Sequence, residues 1–147
     1  MEIERKFLIK ELPSNLDTYN FHDIEQAYLC TDPVVRIRKQ DNSFYLTYKS
    51  SGMMAREEYN LPLTEDAYCH LLGKADGNII TKRRYLIPGE HGLTIELDIF
   101  DGVKKGLIMA EVEFPSVEEA NNFNIPKWFG EEVTFIEKYH NSVMSKE

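Results

Sequence analysis

Acidic residues separated by a single position recur along this sequence. The members of these pairs are Glu2, Glu4, Glu96, Asp98, Glu111 and Glu113. In an extended strand, two residues at this spacing lie on one face, about 6.6 Å apart. Carboxylates that converge from neighbouring strands provide the hard oxygen ligands that Mg²⁺ or Mn²⁺ prefers. The spacing therefore indicates a divalent metal site.

Basic residues follow the same alternation. They are Lys6, Arg36, Arg38, Lys49, Arg56, Lys82 and Arg84, and Glu58 lies two positions after Arg56. Arginine predominates, and its planar guanidinium group suits bidentate binding of oxyanions. A metal ion beside basic side chains is the recurring arrangement for phosphoryl transfer, since charge stabilisation and alignment supply most of the rate. The pattern therefore predicts a phosphate site and leaves the substrate open.

Strands are needed to position these side chains. We expect eight, at residues 2–9, 26–30, 34–39, 43–49, 55–61, 79–87, 93–100 and 107–114. Polar breaks such as Gln40-Asp41-Asn42 separate them at hairpin-like spacing, which favours antiparallel pairing. The expected class is α+β, mainly β.

Three helices are expected beside the strands. Thr64 can cap a segment that runs to residue 75, and Ser116 with Glu119 forms a capping box before a helix to residue 123. Thr134 with Glu137 forms a second capping box. The apolar stripe that follows, over residues 136–144, predicts a helix packed on the sheet.

Two architectures fit this alternation. In an open sheet, helices cover the apolar face and water covers the charged face. In a closed eight-stranded barrel, the charged face lies inside and about three helices cover the apolar wall. The second alternative is favoured, because the charged face is almost purely ionisable and its seven cations balance seven carboxylates, as a buried charged lumen requires.

Composition limits the class of protein further. The 147 residues suit one domain over residues 1–147, and no apolar run is long enough for a membrane span. Cys30 and Cys69 lie far apart, which predicts reduced thiols and a cytoplasmic protein. The net charge of −8 falls outside the proposed inner face. It argues against nucleic acid and membranes as partners, but a small polyanion could still bind inside.

These residues resemble the CYTH family of triphosphate tunnel metalloenzymes over nearly the whole chain. The motifs that carry the resemblance are Glu2-Ile3-Glu4-Arg5-Lys6, Gln26-x-Tyr28-Leu29, Arg36-Ile37-Arg38, Leu46-Thr47-Tyr48-Lys49, Arg56-Glu57-Glu58-Tyr59, Lys82-x-Arg84-Tyr85, Glu96-x-Asp98, Glu111-Val112-Glu113, and an ending with Trp128-Phe129-Gly130 and Lys138-Tyr139-x-Asn141. The closest likeness within the family is to the small bacterial tripolyphosphatases. The resemblance implies an antiparallel eight-stranded tunnel that binds a linear triphosphate.

Roles for individual residues follow from this resemblance. The metal, Mg²⁺ or Mn²⁺, would be held by Glu2, Glu4, Asp98, Glu111, Glu113 and Glu96. The substrate would be bound by Lys6, Arg36, Arg38, Lys49, Arg56, Lys82, Arg84 and Tyr28, although Tyr28 taken alone is typical of a packing residue. The catalytic residues would be Lys6, Glu58, Lys82 and Arg84. Two departures are Asn60, where many relatives carry a carboxylate, and Lys138, where Arg is frequent.

The predicted reaction is hydrolysis of a terminal phosphoanhydride by metal-activated water, with inorganic tripolyphosphate as preferred substrate and nucleoside triphosphates as further ones. The alternatives are a class IV-type adenylyl cyclase, a thiamine triphosphatase, and a polyphosphate- or nucleotide-binding module without activity. A homodimer is a further expectation. The four histidines, His22, His70, His91 and His140, lack metal-ligand spacing, and we expect surface or packing roles for them.

Overall fold

The computed structural model describes residues 1–52 and 54–146, and in this part of the chain ten strands and three α-helices form. The strands are β1 (Glu2–Ile9), β2 (Asn20–Thr31), β3 (Val34–Gln40), β4 (Ser43–Lys49), β5 (Ala55–Arg56), β6 (Glu58–Pro62), β7 (Asp76–Pro88), β8 (Thr94–Asp101), β9 (Ile108–Glu113) and β10 (Phe129–Glu132). The helices are α1 (Glu65–Leu72), α2 (Val117–Asn121) and α3 (Asn141–Met144).

The strands form an antiparallel barrel. Their order is β10-β1-β9-β8-β7-β2-β3-β4-β6, and β5 pairs with β1 through Glu2 with Arg56 and Ile3 with Ala55. Only Glu57 separates β5 from β6, so the two act as one interrupted strand that joins β4 to β1 and closes an eight-strand circuit. β10 is added beside the end of β1. The predicted eight-stranded barrel is confirmed.

The charged face lies inside this barrel. Glu2, Glu4, Lys6, Arg36 and Arg38 are all buried. The apolar face packs outward, where Phe7, Leu97 and Val112 form a buried cluster that α2 and the segment leading to β10 cover. The open-sheet alternative, with its charged face in water, is therefore wrong.

The first two helices begin where the sequence predicted. The Thr64 hydroxyl accepts a hydrogen bond from the Ala67 amide at 3.1 Å, and the Ser116 hydroxyl accepts one from Glu119 at 3.1 Å. Both helices end earlier than predicted, at Leu72 and Asn121. No helix among the described residues is long and apolar enough to cross a membrane.

The helix predicted from Thr134 is wrong. The Thr134 hydroxyl accepts a hydrogen bond from the Lys6 amide at 2.9 Å and donates to the Glu132 carboxylate at 2.7 Å. Because this side chain completes the pairing of β1, it does not cap a helix. A 3₁₀ turn at Glu137–Tyr139 and the short helix α3 follow instead. β2, predicted over residues 26–30, is longer and covers Asn20–Thr31.

Candidate active site in the barrel lumen

The lumen is a cavity of about 370 Å³ that most of the predicted site residues line. Those residues are Glu2, Glu4, Lys6, Tyr28, Arg36, Arg38, Lys49, Arg56, Glu58, Arg84, Glu96, Glu111 and Glu113. They come from all eight strands of the circuit and converge because alternate side chains of each strand point inward. The cavity is therefore a strongly ionic compartment.

Opposite charges pair across the lumen. The Lys49 amine lies 2.9 Å from the Glu2 carboxylate, and the Arg56 guanidinium lies 3.3 Å from the same carboxylate. The Glu111 carboxylate lies 3.4 Å from the Lys6 amine and 3.2 Å from the Arg84 guanidinium. Burial would raise the pKa of Glu111, but these cations outweigh it and hold the pKa well below its usual range. Most of the buried charges are thus compensated within the protein.

Two predicted site residues, Lys82 and Asp98, do not line this cavity, although they share the inward faces of β7 and β8 with Arg84 and Glu96. Asp98 is fully buried, accepts hydrogen bonds from Arg84 Nε at 2.8 Å and Nη2 at 2.9 Å, and lies 2.7 Å from the Lys82 amine. Burial lowers the pKa of Lys82 to about 7, although the contact with Asp98 acts in the opposite direction. The geometry makes Asp98 an anchor for Arg84, which does reach the lumen.

Arg36 and Arg38 differ from the other lumen cations. Neither forms an ion pair with a carboxylate of the described residues. Arg36 Nη2 donates to the Thr47 hydroxyl at 3.1 Å, and Arg38 Nε donates to Gln26 Oε1 at 2.9 Å. Burial and the nearby charges of Arg36 and Arg84 lower the pKa of Arg38 to about 10. This part of the wall carries uncompensated positive charge.

Carboxylates accumulate around Glu113. Partial burial, followed by the charges of Glu2, Glu58, Glu96 and Glu4, raises the pKa of Glu113 to about 7. Glu58 behaves oppositely: partial burial would raise its pKa, but a hydrogen bond with Glu2 and the charge of Lys49 lower it to about 2. Among residues 1–52 and 54–146, no three acidic, histidine or cysteine side chains are grouped closely enough to ligate one metal ion as they stand.

Seven further residues line the lumen that the sequence prediction did not include. They are Val34, Gln40, Tyr45, Asn60, His140, Asn141 and Ser142. The expectation of a surface or packing role for His140 is thus incomplete, because His140 is buried against the lumen and its Nε2 bonds to the Thr134 carbonyl at 2.8 Å. The polar run His140-Asn141-Ser142 was the available signal, but the apolar stripe around it suggested a core-facing helix.

Strand pairing and lumen chemistry together define a class of protein: an antiparallel barrel whose interior is lined by acidic and basic side chains. A family model described as "CYTH domain" matches residues 1–147, so the chain belongs to the CYTH family. An inorganic triphosphatase from Nitrosomonas europaea is 35% identical over 147 residues, which cover 98% of this chain and 96% of that protein. A second inorganic triphosphatase, from Acetivibrio thermocellus, is 35% identical over 99% of this chain and 93% of its own.

Solved structures have the same architecture. The crystal structure of an inorganic triphosphatase matches with a TM-score of 0.74 and 33% identity, over 100% of this chain and 95% of that one. A Hippeastrum protein whose structure is described with a dominant triphosphatase activity matches with a TM-score of 0.58 over 83% of both chains. At 17% identity, this second likeness concerns the fold alone.

Proposed function

We propose that this protein hydrolyses a terminal phosphoanhydride of a linear triphosphate, with inorganic tripolyphosphate as the preferred substrate and nucleoside triphosphates as secondary ones. The observation that carries the proposal is the pair Arg36 and Arg38, two buried cations in the lumen that pair with no carboxylate of residues 1–52 and 54–146. Uncompensated buried charge is costly, and an anionic ligand removes that cost. The names of the relatives at 35% identity agree with the same activity.

The remaining cations extend this site along the lumen. Lys6, Lys49, Arg56 and Arg84 are each paired with a carboxylate and each face the cavity. A triphosphate is long enough to contact several of them at once, so its charge is spread over the wall. Lys6 and Arg84 would stabilise charge on the phosphate under attack and on the leaving group. Lys82 would act through Asp98 and Arg84, since it contacts Asp98 and does not line the cavity.

The acidic part of the lumen has the ligand chemistry that a divalent cation requires, although its carboxylates would have to move closer together to bind one. Glu2, Glu4, Glu96 and Glu113 supply hard carboxylate oxygens. Partial burial, followed by the charges of the neighbouring carboxylates, raises the pKa of Glu113, and a cation would relieve the repulsive part. We propose that these residues, with Glu111, hold Mg²⁺ or Mn²⁺. Such an ion would supply charge neutralisation and activation of water. Glu58 stays ionised beside Lys49 and would orient the carboxylates rather than release a proton.

The test is release of inorganic phosphate from tripolyphosphate, ATP and thiamine triphosphate, each with Mg²⁺, with Mn²⁺ and with EDTA. We expect tripolyphosphate to be the best substrate and EDTA to abolish turnover. Tight binding without turnover would support a binding module instead, and cyclic AMP formed from ATP would support a cyclase.

Three variants locate the activity. Glu4→Gln and Arg38→Ala should lose most of it, because each removes a buried lumen charge. Arg83→Ala is the matched control, since Arg83 belongs to the same sheet but points outward, pairing with Asp23 on the surface. Wild-type rates in both lumen variants would contradict the site.

Cellular context follows from the surface. Cys30 and Cys69 are free and exposed, which supports a reducing compartment, and we propose the cytoplasm. The excess of acidic residues outside the lumen disfavours nucleic acid as a partner. Sedimentation analysis tests the predicted homodimer.

A further inference from the structure

In the described part of the chain, only neutral groups hold Arg38 in the lumen. Its Nε and Nη2 both donate to a single acceptor, Gln26 Oε1, and its other polar neighbour is the Tyr45 hydroxyl. By contrast, the guanidinium of Arg84 on β7, two strands away, is held by the carboxylates of Asp98, Glu96 and Glu111. The same kind of side chain is therefore anchored in two ways, one that compensates its charge and one that does not.

The orientation of the Gln26 amide follows from its partner. A guanidinium has donors only, so the oxygen of Gln26 must face Arg38 and the NH₂ group must point away. That NH₂ group is buried, and no described residue accepts a hydrogen bond from it. A carboxylate of the same shape would remove the unsatisfied donor and would strengthen both bonds to Arg38. For the empty protein, glutamate is thus the more stabilising residue at this position.

We propose that Gln26 is a positioning residue for substrate binding: it fixes Arg38 in the lumen while leaving the positive charge of Arg38 free for a phosphate group. This inference rests on the proposed function and adds a residue that does not itself line the cavity. Thr47 holds Arg36 in the same way, because its fully buried side chain accepts a hydrogen bond from Arg36 through a neutral hydroxyl. The positive charges of these two neighbouring arginines thus stay uncompensated, because the side chains that hold them are uncharged.

The substitution Gln26→Glu separates this role from a merely structural one. It preserves the size of the side chain and both hydrogen bonds, but it compensates Arg38. We expect tripolyphosphate to bind about 10- to 100-fold more weakly, the range expected for losing a charged hydrogen-bonding partner. The unfolding temperature without ligand should stay equal or rise by about 2–4 °C, since the new ion pair relieves repulsion among Arg36, Arg38 and Arg84. If Gln26 had only a structural role, the affinity for tripolyphosphate and the unfolding temperature should rise or fall together.

Binding is measured by titration calorimetry with tripolyphosphate in EDTA at low ionic strength, and stability by thermal unfolding in the same buffer. Gln40→Glu is the matched control: Gln40 lines the same lumen, but its oxygen accepts from the Tyr45 hydroxyl at 2.9 Å. Both variants add one negative charge to the tunnel, but the charge at position 40 faces the Tyr45 hydroxyl and not Arg38. The loss of affinity for tripolyphosphate in Gln40→Glu should therefore be several-fold smaller. Affinity of Gln26→Glu within twofold of wild type, or an equal loss in Gln40→Glu, would overturn the inference.

A second comparison decides the matter if Gln26→Glu does not fold. Gln26→Met removes the hydrogen bonds without changing any charge, and it should weaken binding less than Gln26→Glu. If Gln26 acts through Arg38, Gln26→Met should have no further effect on affinity when Arg38→Met is already present. Independent, additive losses would refute the coupling. Wild-type protein that binds tripolyphosphate in EDTA but does not hydrolyse it with Mg²⁺ or Mn²⁺ would contradict the proposed activity but leave this comparison valid. Absence of binding would overturn both.

Discussion

Asp98 and Asp23 each accept a hydrogen bond from an arginine Nε at 2.8 Å, but in opposite environments. Asp98 is fully buried, and the Asp23–Arg83 pair lies on the surface with about half of each side chain exposed (59% and 46%). Equal geometry with unequal burial makes the two aspartates a matched pair. The comparison of Asp98→Asn with Asp23→Asn therefore measures what burial adds to one type of contact.

The expected cost of Asp98→Asn follows from its partners. Removing one member of a buried ion pair typically costs about 3–5 kcal/mol, because the remaining charge is left uncompensated. Here Arg84 keeps Glu96 and Glu111, and Lys82, whose pKa is already lowered to about 7, can release its proton. The loss should thus lie near the lower limit, about 3 kcal/mol, or about 6–12 °C in unfolding temperature. Exposed pairs are typically worth less than about 1 kcal/mol, so Asp23→Asn should change little.

Urea unfolding in EDTA at several pH values is the assay. The pKa of Asp98 is lowered in the folded state, because Arg84 and Lys82 outweigh the effect of burial. The stabilisation is therefore present above the unfolded pKa of about 3.9 and lost as the pH falls further, so the difference between wild type and Asp98→Asn should shrink in acid. Equal stability of the two aspartate variants would refute the anchoring role. A loss seen only when metal is added would identify Asp98 as a ligand instead.

Two further predictions concern the lumen and its C-terminal wall. The pKa of Glu113 is raised in the folded state, so its ionisation destabilises the metal-free fold as the pH rises from about 4.5 to 7. Glu113→Gln should therefore unfold at a higher temperature than wild type at pH 8 and at the same temperature at pH 4. An equal difference in unfolding temperature at both pH values would contradict this cause. Gly77 has a φ of +72°, and a Cβ at this position would collide with the Ser145 carbonyl. Gly77→Ala should therefore displace the C-terminal segment and speed its removal by carboxypeptidase. Gly92→Ala is the control, because Gly92 has a similar φ of +74° but open space around it, and this variant should not speed the removal.

The tunnel could be predicted from the sequence because charged and apolar residues alternate in most of the strands that form it. Glu2, Glu4 and Lys6 follow one another on a single inward face, and the neighbouring strands repeat this arrangement. Alternation reports which face of a strand a residue occupies, but not how deep it lies. This is why Asp98 and Lys82 were assigned to the lumen, although they are buried on the same inward face without lining the cavity.

The C-terminal region could not be predicted in the same way. Thr134 and Glu137 have helix-capping spacing, and only the tertiary structure reveals that the Thr134 hydroxyl is taken by the Lys6 amide. Local patterns describe neighbours in sequence, whereas this bond joins residues 128 positions apart. The contributions of His140 and Asn141 to the lumen were missed for the same reason.

The place of β1 in the barrel has a consequence for how the protein is made. β1 is the first strand in the chain, yet its partners include Glu113 on β9 and Glu132 on β10. A ribosome must therefore synthesise nearly the whole chain before the first strand can pair on both sides. Such long-range pairing slows folding, because a large loop must be closed before any contact rewards it. The tunnel that encloses Glu2 and Glu4 therefore cannot close until β9 has been synthesised, although β5 can pair with β1 earlier.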